Sequence, residues 1–121
     1  MHTDPALVTL RPDESLYFVN ARFLEDLILD RVARDTDVRN VVLMCSAMNE
    51  VDYSALEALE ALNERLRDQD IGLHLSEVKG PVMDRLRATH FLDHLNGRVF
   101  LSQYDAWAAL AAAPAKTEAA E

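Results

Sequence analysis

Residues 41–86 read VVLMCSAMNEVDYSALEALEALNERLRDQDIGLHLSEVKGPVMDRL. The opening run Val41-Val42-Leu43-Met44-Cys45 is apolar without alternation, the pattern of a central strand covered on both faces. A loop from Ser46 to Tyr53 leads into a helix from Ser54 to about Asp68, with Ala55, Leu59, Leu62 and Leu66 on one face. Ser54-x-x-Glu57 spells a capping box, so Ser54→Ala is expected to cost about 1 kcal/mol. Asp52 lies just ahead of the positive helix end, where a carboxylate is favoured. Ile71-Gly72-Leu73-His74-Leu75 follows as a strand with Ile71, Leu73 and Leu75 on one face. Gly80-Pro81 then opens a third helix, with proline where its missing N–H does no harm, and turns Val82, Leu86 and Met83 inward.

Working outward from this stretch, Leu7–Leu10 and Ser15–Val19 read as two short strands around Arg11-Pro12-Asp13-Glu14, whose Pro-Asp pair suits an antiparallel hairpin. Asn20 is placed to cap a helix through Phe23, Leu24, Leu27, Ile28 and Val32, with Arg22, Glu25, Asp26, Asp30 and Arg34 on its polar face. Beyond residue 86, Val99-Phe100-Leu101 is a last strand. Ser102 caps a terminal helix, with Asp105 three residues on, that buries Ala106, Ala109 and Leu110. The order is β-β-α-β-α-β-α-β-α. It predicts an α/β domain of about four helices on a mixed sheet, a hairpin feeding a parallel part. Residues 1–6 form an extension, 7–110 the domain, and the Ala-rich stretch 111–121 a disordered tail.

The 121 residues suffice for one domain and are tight for two. Twelve Lys+Arg against 21 Asp+Glu give a net charge of −9, which argues against nucleic-acid binding and against adhesion to anionic lipid. The first sixty residues carry most of that excess. No apolar run approaches the length of a membrane span and no secretory signal opens the chain, so a cytoplasmic domain without membrane insertion is expected. A single cysteine excludes an internal disulfide.

The succession Val51-Asp52-x-Ser54-Ala55-Leu56, helix, strand, Val78-x-Gly80-Pro81-Val82-x-x-x-Leu86 resembles the STAS domain, a module shared by sulfate transporters and anti-sigma factor antagonists. Ser15-Leu16-Tyr17-Phe18-Val19-Asn20-Ala21 resembles the stretch "LYFANA" found where this module ends a SulP-type anion transporter. The resemblance covers roughly residues 7–110. It implies a STAS-like fold, no cofactor and no chemistry. The module would regulate a sulfate or other anion transporter through protein contacts, with its own membrane domain or a cytosolic protein as partner; a homodimer is left open. The chain then reads as a domain excised from a larger protein. The alternative is a free-standing partner-switching protein of the anti-sigma antagonist kind. Those proteins place a phosphorylated serine directly after the aspartate, where this chain has Tyr53, which leaves Ser54 as a weaker acceptor. The family also has glycine after the second and third helices. Asp70 and His90 stand there instead, and His90 is expected to be pushed toward positive φ.

The contact surface is expected on the 48–55 loop, the start of the second helix and the Lys79-Gly80-Pro81 turn, with Asn49, Glu50, Asp52, Tyr53, Ser54, Lys79 and Gly80 as its residues. Tyr53 precedes a helix on an otherwise polar loop, the setting of an interface anchor. Other chemistry finds little support. His90, Asp93 and His94 lack the further ligands of a metal site, His2 is terminal, and His74 lies on the strand face opposite Leu73. Cys45 reads as a small buried hydrophobe. Only three glycines occur and none builds a phosphate cradle, so nucleotide binding could rest only on Tyr53-Ser54-Ala55 and Lys79-Gly80. Tyr104 and Trp107 read as lid packing.

Overall fold

The computed structural model describes residues 6–12 and 18–110. It runs β1 (Leu7–Leu10), α1 (Phe18–Arg34), β2 (Asn40–Met44), α2 (Tyr53–Asp68), β3 (Gly72–Ser76), α3 (Gly80–Arg87), α4 (Phe91–His94), β4 (Val99–Phe100) and α5 (103–110). The α/β class holds. The sheet follows chain order, β1-β2-β3-β4, and every pairing among these strands is parallel. The expected hairpin is corrected where it can be seen: Phe18 and Val19 are helical, and Asn20 lies inside α1 rather than capping it. Its remaining residues, Ser15–Tyr17, lie outside the described residues, as do 1–5 and 111–121. The described residues hold five helices where about four were expected, the additional one being the single turn Phe91–His94.

The strand order explains the layering. Crossovers of one hand that all step in the same direction put their helices on the same face of a sheet. Accordingly, residues of α1, α2, α3 and α4 share one apolar cluster with Val8, Val41, Leu43, Leu73 and Leu75. The opposite face would be bare, and α5 folds back over it, with Ala106 and Leu110 packing on Val42. Covered on both sides, Val41, Val42 and Leu43 are buried, as their unbroken apolar run requires.

Helix α2 buries Ala55, Leu59, Leu62 and Leu66 as expected. It ends in a Schellman closure: Ile71 N–H donates to Leu66 O at 2.8 Å and Asp70 N–H to Arg67 O at 2.9 Å. This closure demands a left-handed residue, and Asp70 takes it at φ 60°. His90 does not; its φ is −87°, because Thr89 finishes α3 differently. The Thr89 hydroxyl donates to Leu86 O at 3.1 Å and accepts from Phe91 N–H at 3.2 Å. The second positive φ is at Glu77, whose carboxylate accepts the Gln103 N–H at 2.9 Å and, beside Ser102, caps α5.

Helix α1 departs most from its pattern. Its buried face is Ala21, Leu24, Glu25, Ile28 and Val32, whereas Phe23 and Leu27, expected inside, are 71% and 45% exposed. Glu25, expected outside, is 6% exposed. The helix carries two apolar stripes, and packing against α2 chose one of them.

Candidate functional site

The loop between β2 and α2 is fixed by alternate anchoring. Met48 and Val51 are buried against Leu43, Leu59, Leu75, Val82 and Leu86. Two anchors three residues apart leave Asn49 and Glu50 between them, and both are exposed. Burying each anchor contributes about 2 kcal/mol, enough to hold a short polar loop in one shape.

The loop hands over to α2 through Asp52. Its Oδ1 accepts the Ala55 N–H at 2.8 Å, and its own carbonyl accepts from Leu56 N–H at 3.0 Å. Asp52 is therefore the N-cap, and the expected capping box at Ser54 is corrected. The helix starts at Tyr53, so Ser54 sits within its first turn, exposed, with a hydroxyl that makes no hydrogen bond among the described residues. An aspartate at the cap satisfies one orphan N–H and adds a charge favoured by the helix dipole.

Across the loop lies the start of α3. Lys79 donates from Nζ to Asn49 Oδ1 at 2.8 Å, tying the α3 N-cap to the loop. Pro81 opens the helix as expected, and Gly80 faces open space; a Cβ there would meet nothing within 4 Å. Tyr53 is 55% exposed, and the Arg85 guanidinium lies 4.6 Å from its ring centre. Such a contact is worth about 0.5–1 kcal/mol at an exposed site and presents the ring in a defined pose. The structure thus brings Asn49, Glu50, Asp52, Tyr53, Ser54, Lys79 and Gly80 to one rim. Arg85 belongs to it and was not legible in the sequence, because it lies 32 positions from Tyr53 and only the β3–α3 crossover sets it there.

The groups with perturbed acid–base behaviour lie elsewhere. Cys45 is buried, and desolvation pushes its thiol up to about 12, offset in part by the Ser76 backbone hydrogen bond. Such a group remains a thiol at neutral pH. Burial, helped by the charge of Arg98, pulls His74 down to about 4. Its Nδ1 accepts the Arg98 N–H at 2.9 Å and its Nε2 lies 2.8 Å from Asn40 Oδ1, so the ring serves as a structural cross-tie. The rings of His90 and His94 lie tilted with their centres 6.2 Å apart, beside Asp93 and Glu60 respectively, each at 3.7 Å. On α5, Tyr104 is 72% exposed and not packed as a lid, whereas Trp107 is half-buried. No helix among the described residues is long and apolar enough to cross a membrane.

Comparison with known proteins bears on the fold and the family. Sulfate transporter 1.3 of Arabidopsis thaliana is 28% identical over 112 residues, which cover 84% of this chain and 17% of the relative. The chain therefore spans about a sixth of the length of that curated relative. Among solved structures, a sulfate transporter family protein from Wolinella succinogenes superposes with a TM-score of 0.75 at 19% identity, covering 86% of this chain and 84% of the other. A putative anti-sigma factor antagonist from Thermotoga maritima superposes with a TM-score of 0.74 at 17% identity, covering 87% of each chain. The fold is thus common to both kinds of protein. A model of the STAS domain matches residues 1–106, and the chain belongs to the STAS domain family.

Proposed function

We propose that this STAS domain is the regulatory module of a SulP-type sulfate or other anion transporter and acts on the transporter's membrane part through protein contacts, without chemistry of its own. The observation that carries this reading is the rim itself. A polar loop is pinned from beneath by Met48 and Val51, and it presents Glu50 and Tyr53 to solvent beside Lys79 and Arg85. A rigid support with an ordered, half-exposed aromatic is how protein-recognition surfaces are usually built. The kinship with plant sulfate transporters favours the transporter as the larger protein, and the domain would then lie on the cytoplasmic side, tethered to the membrane.

The test uses the full transporter reconstituted in proteoliposomes. Replacing Tyr53 and Glu50 together by Ala changes the rate of sulfate uptake while the melting temperature of the isolated domain stays within about 1 °C, as for surface substitutions. Unchanged uptake removes the reading. The partner-switching alternative draws on one observation, the uncapped and exposed hydroxyl of Ser54. Incubation with a serine kinase from the same cell and intact-mass measurement decides it: a gain of about 80 Da, one phosphate, favours that alternative.

A further inference from the structure

The two faces of the sheet are covered by different means. Toward α1–α4 it presents Val8, Val41, Leu43, Leu73 and Leu75, all buried in one apolar cluster. Strand alternation turns Thr9, Val42, His74 and Ser76 the other way, with Thr9, Val42 and His74 in one row across β1, β2 and β3. Among the described residues, the apolar contact on that second face is a small cluster: Val42 with partly buried Leu7 and Phe100, against Ala106 and Leu110 of α5.

Gln103 fastens α5 by polar bonds instead. Its Oε1 accepts from the Ser76 hydroxyl at 2.7 Å and its Nε2 donates to Thr9 Oγ1 at 3.1 Å, so one side chain spans the sheet from β3 to β1. Its backbone N–H donates to the Glu77 carboxylate at 2.9 Å, and Glu77 holds that carboxylate there from left-handed backbone, φ 54°, which a non-glycine residue adopts at a cost. Water can take over these bonds: Gln103 is half-buried, Thr9 is exposed, and the Ser76 hydroxyl would meet solvent once α5 left. His74 would keep its own ties, because Asn40 and Arg98 belong to the sheet and its edge. Departure of α5 thus hands Thr9 and Ser76 to water, and the apolar surface it uncovers centres on Val42. The first face has no such exchange available, since its cover is apolar throughout the row.

We propose that α5 is a detachable cover, latched by Gln103, which lifts from the sheet as a unit while β1–β4 and the layer of α1–α4 stay folded. The domain then has a second conformation in which the row Thr9-Val42-His74 meets solvent. Eight residues do not hold a helix alone in water, so α5 loses its helix when it lifts. This device lies on the opposite face from the α1–α4 layer and does not depend on the regulatory reading above.

Amide hydrogen exchange on the whole chain, followed residue by residue as urea is raised, reads the opening directly. The amides of residues 106–110 exchange at one common opening rate, about a hundredfold faster than those of Val41 and Leu43, and respond weakly to urea because little surface is exposed. Gln103→Ala speeds the α5 amides about tenfold and leaves Val41 and Leu43 within about twofold. Thr9→Val removes one bond of the latch, keeps the side-chain shape and speeds them about threefold. Both substitutions fall on side chains that meet solvent, and circular dichroism confirms that each variant folds. The proposal is overturned if the α5 amides share the rate and urea dependence of Val41, because α5 then belongs to one cooperative unit with the sheet. A graded rise in rate toward residue 110, the mark of an end that frays, overturns it too. So does Gln103→Ala if it speeds the α5 and β2 amides alike, or neither.

Discussion

The centre of the sheet and its β4 edge are held together by different forces. Between β2 and β3 five residue pairs are in register, from Asn40 opposite Gly72 to Met44 opposite Ser76, and the side chains at Val41, Val42, Leu43 and Leu73 are all buried. At the edge, β4 pairs only Val99 with Leu75 and Phe100 with Ser76. Polar side chains complete that attachment. Asn96 accepts the Leu73 N–H at 2.8 Å and donates to Ile71 O at 3.0 Å, standing in for ladder bonds the short strand cannot make. Asn63, buried on α2, donates to His94 O at 2.7 Å and accepts the Asn96 N–H at 3.1 Å. His74 adds its bond to Arg98. The centre is an apolar solution, tolerant in detail; the edge depends on individual atoms.

This contrast can be broken by substitution. Leu73→Ala is expected to cost about 3 kcal/mol, the usual range for emptying a buried leucine site, read from urea unfolding. Gly97→Ala tests the edge by addition. A Cβ there would run into Leu73 O and approach His74 Nδ1 to 2.6 Å, so the edge must shift, at about 2–3 kcal/mol. A neutral result would show that the edge yields freely. Asn96→Ala removes two bonds to strand backbone and is expected to cost about 2 kcal/mol. Its loss should raise amide exchange at Leu73 before that at Val41, which a uniformly cooperative sheet would not show.

Acid sharpens the same comparison. His74 must be neutral to accept the Arg98 N–H, and its folded value of about 4 lies below the ordinary 6.5. The unfolded chain therefore takes up the proton more readily, and the contribution of the neutral ring is fully present above pH 6.5 and is lost as pH falls toward 4. The melting-temperature advantage of the native protein over His74→Gln accordingly shrinks across that window. An advantage independent of pH would refute the cross-tie. The smallest effects belong to the start of α2. Asp52→Ala should cost about 1 kcal/mol, and Ser54→Ala less than about 0.5. The reverse order would restore Ser54 as the cap.

How much could be read beforehand follows the same division. The run Val41–Cys45, the face Ala55-Leu59-Leu62-Leu66 and the Gly80-Pro81 helix start were legible because periodicity and backbone restriction are local properties. The cap at α2 was misread by two residues because Asp52 and Ser54 both carry capping side chains, and only the entry of the loop chooses between them. On α1 the apolar residues formed two stripes, and a wheel alone could not say which one α2 would cover. The positive φ fell on Asp70 rather than His90 because Thr89 supplies from its side chain what a left-handed residue supplies from the backbone. At the rim, the loop and the α3 turn were anticipated, but Arg85 and the Lys79–Asn49 bond needed the crossover to be seen. The cross-ties of Asn63, Asn96 and His74 were invisible, because a polar residue's long-range partner leaves no periodic trace.

The one-way strand order also bears on synthesis. Each new strand docks on the one made just before, so the sheet can grow as the chain leaves the ribosome. Among the described residues, the helix that covers Val42 on the second face is the last to emerge. A ribosome stalled before residue 103, or a stop codon there, would release a nearly finished sheet with one adhesive side.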